Sequence, residues 1–154
     1  MSGDEKMLNT FIQEFREEFM KLPPEEIAYP RSVNGVEKFT SDSGLFAKGA
    51  PIHCKGAILY NHLLHKHNLD KKYELIQEGD KIKFLHLKEP NLYTSTAISF
   101  MTKLPKELDF KSIIDYDAQF TKSFVDPLKF ITTKILWKID DSYGTQGTLE
   151  DFFT

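Results

Sequence analysis

At 154 residues, with 40% hydrophobic and 28% charged side chains, the chain has the make-up of one ordinary globular domain with a short tail. Cys54 is the one cysteine, which excludes a disulfide framework and a cysteine-based metal site and fits a reducing cytosol. No apolar run approaches membrane-spanning length, the N-terminus has no charged-then-apolar signal layout, and no internal repeat is visible.

The net charge of −3 conceals a pattern. Residues 1–30 carry seven acids against three bases, residues 31–88 carry ten bases against six acids, and residues 138–154 carry four acids against one base. A basic middle between acidic ends is a mild nucleic-acid footprint, and equally the pattern of a solvated lysine face.

Along the chain, Leu8, Phe11, Ile12, Phe15 and Phe19 recur at helical spacing and predict an amphipathic helix that Pro23-Pro24 ends. So aromatic a stripe is a docking face, covered either by the domain's own core or by a neighbour. Residues 27–40 read as irregular to extended, with a turn at Asn34-Gly35. Pro51 opens a second helix to about Asn68, with Ile52, Ala57, Leu59, Leu63 and Leu64 inward. Gly56 inside that helix points to close approach by another backbone or a ligand. Residues 81–88 alternate basic and apolar at their start, as a half-exposed strand does, and residues 97–101 suggest a second short strand. From 106 to 137 the pattern is helical, with Pro127 dividing two helices that meet at an angle and Asp126 at a helix start.

Catalytic patterns are weak. His62 and His65 are three apart on a helix, yet no acid or cysteine at suitable spacing completes a ligand set, and they read as a solvated helix end. Asp115 and Asp117 read as helix-end charges rather than metal ligands. There is no Gly-rich phosphate loop and no nucleophile with a base, so the chain reads as catalytically silent, with no cofactor of its own.

Two patterns point instead to binding. Arg31, Lys38, Lys48 and Lys55 are spread through turn-rich chain among Ser32, Asn34, Gly35, Thr40 and Gly49, the small donors and exposed amides that grip a phosphate backbone without reading sequence. Gly56 beside Lys55 would let a duplex backbone come close. At the other end Gln146, Leu149, Phe152 and Phe153 form Q-x-x-L-x-x-F-F. One tight helical turn gathers the leucine and both phenylalanines into an apolar plug for a groove on another protein, unless the tail folds back on its own domain. This tail resembles the sliding-clamp-binding peptide of replication proteins.

An ordered internal series makes a second resemblance. Leu22-Pro23, Ile27-Ala28-Tyr29-Pro30-Arg31, Pro51-Ile52-His53-Cys54-Lys55-Gly56, Gly79-Asp80-Lys81-Ile82-Lys83-Phe84, Leu104-Pro105-Lys106-Glu107, then residues 115–124 and Pro127-Leu128, follow one another as in the thumb of family B DNA polymerases of large tailed bacteriophages. The similarity spans nearly the whole chain. It implies an α+β, mostly helical thumb over 1–137 with a small antiparallel β element, and a flexible linker and clamp-binding peptide over 138–154. It also implies primer–template duplex, the sliding clamp and the palm, fingers and exonuclease parts of the polymerase as partners, and the cytoplasm of an infected bacterium as the location. Backbone-contact roles carry over to Arg31, Lys38, Lys55 and the Lys48-Gly49 neighbourhood, with Lys81 and Lys83 as weaker candidates. At the position of Lys55 some relatives carry arginine, so its point charge should hold phosphate less rigidly. The palm carboxylates, and the Mg2+ they hold in the parent polymerase, are absent, so the chain alone would not polymerise. It is expected to be either a naturally split subunit or a truncated piece. The alternative from another class is a free-standing clamp-binding adaptor that does not touch DNA.

Overall fold

The computed structural model describes residues 3–40, 47 and 49–134. They fall into two compact units, one taking the residues up to Leu22 together with those from Tyr116 onward, the other Pro23–Asp115. The fold is α+β, mostly helical with a small antiparallel sheet.

The central unit is a three-stranded sheet with a helix on one face. It runs α2 (Pro24–Ile27), β1 (Tyr29–Ser32), α3 (Val36–Phe39), α4 (Ile52–Lys66), β2 (Lys81–His86) and β3 (Ala97–Phe100), followed by two 3-10 turns, Lys106–Leu108 and Lys111–Ile113. The sheet order is β1-β2-β3, antiparallel throughout. β1 and the short α3 lie where the sequence suggested irregular to extended chain; β1 is the extended part, and the turn of helix at α3 was not expected. The strand exists because β2 supplies its partners, Tyr29 opposite Phe84 and Arg31 opposite Ile82, about fifty residues away in the chain.

α4 has the predicted start and most of the predicted inward face, with Ala57, Leu59, Leu63 and Leu64 buried and Ile52 half-buried in the first turn. Gly56 explains how it lies so close to the sheet. A Cβ there would stand 2.7 Å from the Ser99 backbone nitrogen and 2.9 Å from the Ile98 carbonyl carbon, so only glycine lets the helix reach β3. The Ser99 hydroxyl then donates to the His53 carbonyl at 2.9 Å, satisfying a buried polar group against the helix backbone. At the far end of β2 both Phe84 and Leu85 are buried, because chain covers both faces there, and the strict alternation of Lys81 to Phe84 stops.

The other unit is held by aromatic rings. α1 (Gly3–Phe19) carries the predicted stripe, and it faces α5 (Tyr116–Phe120), a π-helical turn (Thr121–Val125) and α6 (Asp126–Lys134). The Phe15 ring lies 4.7 Å from Phe124 and 5.9 Å from Phe120, while Phe19 meets Phe120 edge-on at 5.2 Å. Such offset and edge-to-face pairs add to the area they bury. The stripe is therefore partly the unit's own core. Phe11, at 54% exposure, and Met7, at 71%, continue it into solvent. Asp117 pairs with Arg16 and the Tyr116 hydroxyl donates to the Leu22 carbonyl at 2.8 Å, which fixes α5 to α1.

Pro127 does not divide two separate helices. Residues 106–115 form 3-10 turns and a bridge rather than helix, and from Tyr116 the chain stays helical through Lys134. The widened turn absorbs the proline. The Asp126 N–H bonds back five residues to Thr121, which opens the backbone just where the ring would meet the preceding carbonyls.

Candidate functional site

Directly opposed residues of an antiparallel pair share a face. On the face that α4 covers lie Tyr29, Arg31, Ile82, Phe84, His86 and Ser99; on the other lie Pro30, Ser32, Lys81, Lys83, Leu85 and Phe100. The expected cations therefore divide. Arg31 stands on the α4 face, whereas Lys81 and Lys83 stand on the opposite one, with the Lys83 ammonium donating to the Glu25 carbonyl of α2 at 3.4 Å. One patch does not take all of them.

Around Arg31 the sheet builds an aromatic platform. Its guanidinium carbon sits 4.2 Å from the centre of the Tyr29 ring, and Nη1 donates to the Pro30 carbonyl at 3.1 Å. Tyr29 packs on Phe84 at 5.9 Å, and Phe84 in turn meets His86 at 5.5 Å and His53 at 6.4 Å. Stacking on a ring orients the guanidinium while leaving its outer edge to solvent. His53, in the first turn of α4, has its pKa lowered, first by burial and then by the positive charge of Arg31, against a hydrogen bond to the Ser32 backbone that opposes the shift. That influence accords with Arg31 standing on the face of β1 that α4 covers.

α3 meets the same end of α4. Asn34 accepts a hydrogen bond from the Cys54 thiol at 3.4 Å, and burial pushes that thiol's pKa up, so Cys54 is a packing group and not a nucleophile. Gly35 has φ of 124°, and a side chain there would strike the Phe39 ring at 2.7 Å. Its N–H and that of Val36 donate to Glu78, which caps the first turn of α3 from outside. Lys38 projects from this capped turn with its ammonium 5.2 Å from the Phe39 ring centre.

Lys55 is one turn into α4. With His62 and Lys66 it falls at i, i+7 and i+11, along the helix face turned from the sheet. The first turn of α4 holds no acid, so nothing on the helix offsets its positive end. Gly49, φ 85°, is an exposed turn residue with open space where a side chain would be. Gly56 is a correction. It is buried, and the close approach it permits is that of β3 in the same unit, so a duplex backbone has no access to it. Lys48 and the tail residues Gln146, Leu149, Phe152 and Phe153 lie outside the described residues.

The histidine-rich end of α4 is engaged in a different contact, His65 Nδ1 with Asp70 at 3.6 Å, and among the described residues no three metal-ligating side chains converge. Tyr29, His53, Phe84 and His86 are the site residues for which sequence reasoning had no role. Tyr29 and Arg31 two apart with Phe84 in a second alternating run was the available signal, but it becomes a platform only once β1 and β2 pair.

No protein-family model matches this sequence, and no curated protein is significantly similar to it.

Proposed function

We propose that this chain is the duplex-gripping thumb of a family B DNA polymerase of the large tailed phage type, acting in the cytoplasm of the infected host and tethered to the sliding clamp by its C-terminal peptide. What supports the reading is that β1, α3 and the first turn of α4 adjoin one another, so that Arg31, Lys38 and Lys55 are carried by three neighbouring segments beside a helix start with no acid in its first turn. The ordered series of matches to the thumb family supports it from the sequence side. Cations on short, capped or stacked supports hold phosphates by charge, and contacts of that kind fix position without carrying sequence information. The chain positions duplex and leaves nucleotidyl transfer to the palm of the parent enzyme. The terminal peptide, by holding the complex at the clamp, raises the effective concentration of the grip at DNA.

The test is anisotropy of a labelled primer–template duplex titrated with the chain without clamp, across salt concentrations. Binding should weaken steeply with salt, and Lys55→Ala should weaken it about equally for any sequence and reduce the salt slope by about one. A loss confined to one sequence would contradict the grip. No duplex binding at low salt, with clamp binding retained and abolished by replacing Phe152 and Phe153 together with alanine, would favour the adaptor instead.

A further inference from the structure

The central unit has a polar concavity beyond the end of β3, of about 250 Å³. Three segments line it: α4 through Tyr60, the following loop through Lys72, Tyr73 and Glu74, and the chain after β3 through Lys103 and its two predecessors. We propose that this pocket is a phosphate-binding site, with the Tyr60 hydroxyl as its buried donor and Lys103 as its cation. The proposal stands apart from the duplex grip and does not rest on it.

Tyr60 is the decisive residue. The side chain is 3% exposed, and its hydroxyl makes no hydrogen bond to any described residue. Among the described residues Arg16 Nε is the atom both sealed from solvent and without a partner, so the Tyr60 hydroxyl, on a residue that lines this pocket, retains access. A hydroxyl without a protein partner is open to an acceptor from outside the chain, and a ligand oxygen would take the place of water there. Burial, with a smaller contribution from Tyr73, pushes the Tyr60 phenol up to about 12, so at neutral pH it is a donor and not an anion.

The walls are already oriented. Glu107 accepts from the Tyr73 hydroxyl at 2.9 Å and from the Lys72 ammonium at 3.3 Å, which holds both side chains and uses the Glu107 charge within the pair. Lys103 has no such partner among the described residues. Glu74 also lines the pocket and stands exposed, and with Lys72 paired to Glu107 the cation left for a ligand is Lys103. Donors from three directions suit a tetrahedral oxyanion better than a planar carboxylate, which takes two in one plane. The phosphate could be a free phosphate-bearing molecule or a group on a nucleic-acid backbone.

The experiment is an NMR titration of the whole chain with inorganic phosphate, against chloride at equal ionic strength. Saturable shifts at the Tyr60 and Lys103 amides, weakened roughly three- to tenfold by Tyr60→Phe and by Lys103→Ala, are expected. Tyr60→Phe keeps the ring, and an otherwise unchanged spectrum shows that the fold is kept. A short duplex that moves the same amides in competition with phosphate identifies a backbone phosphate; movement by free phosphate alone identifies a small molecule. Shifts no larger than those with chloride overturn the site, as does a Tyr60→Phe variant of unchanged affinity, even if Lys103→Ala weakens binding, because that result leaves only a surface lysine.

Discussion

The two units hold their helices by opposite means. Between α1 and the α5–α6 run, bulk does the work, as Phe15, Phe19, Phe120 and Phe124 fill the space between backbones. Between α4 and β3, absence does it, as Gly56 removes the one side chain that would keep the two backbones apart. The first arrangement should lose stability when a side chain shrinks, the second when one grows. A glycine inside a helix thus says as much about packing as a row of phenylalanines, although it contributes nothing to a hydrophobic stripe.

The largest effect should come from Phe120→Ala. Phe120 is fully buried and touches three other rings, so truncation loses its transfer energy and leaves a cavity, at a cost of about 3–5 kcal/mol. Hydrogen exchange should show the loss in α1 and α5, with β2 and β3 still protected. Equal loss in the sheet would show that the units open as one body and would break the comparison. Gly56→Ala should cost less, about 1–3 kcal/mol by overpacking, even though alanine is the better helix former by about 1 kcal/mol. The added methyl meets Ser99 and Ile98 backbone, which cannot rotate away. Urea unfolding that finds the variant as stable as the parent would mean that α4 shifts freely on the sheet.

What the sequence made legible was local. The Leu8 to Phe19 stripe, the Pro51 start of α4 and the alternation from Lys81 each follow from periodicities within one segment, and each stands in the structure. What it hid depends on partners far along the chain. β1 is too short to declare itself and is defined by β2. The faces of Arg31 and of Lys83 follow from that register, so a basic cluster in sequence became two faces in space. Gly56 was rightly read as a point of close approach, but the sequence does not say whether a strand or a ligand approaches, and the strand won. The π-helical turn before Pro127 was likewise invisible, because proline signals a disruption without saying whether the helix breaks or widens.

The smallest predicted effect sharpens the picture of the Arg31 end of the sheet. His53 is neutral by preference in the folded chain, since burial and then Arg31 both disfavour its charged form. Its folded pKa lies below the 6.5 of the unfolded chain, so its contribution to stability is fully present above that pH and is lost as pH falls through the lower folded value. An NMR titration of the His53 ring should therefore give a midpoint below 6.5, and Arg31→Gln should move it upward by removing the second cause while leaving the burial. His53→Gln should flatten that part of the stability profile on acidification. A midpoint that ignores Arg31 would mean the guanidinium turns to solvent, away from α4, and the convergence of β1 with the start of that helix would lose its electrostatic support. A midpoint that rises when duplex is added, in the parent chain but less in Arg31→Gln, would place a phosphate against this end of the sheet, because a nearby anion favours the imidazolium that burial and Arg31 suppress.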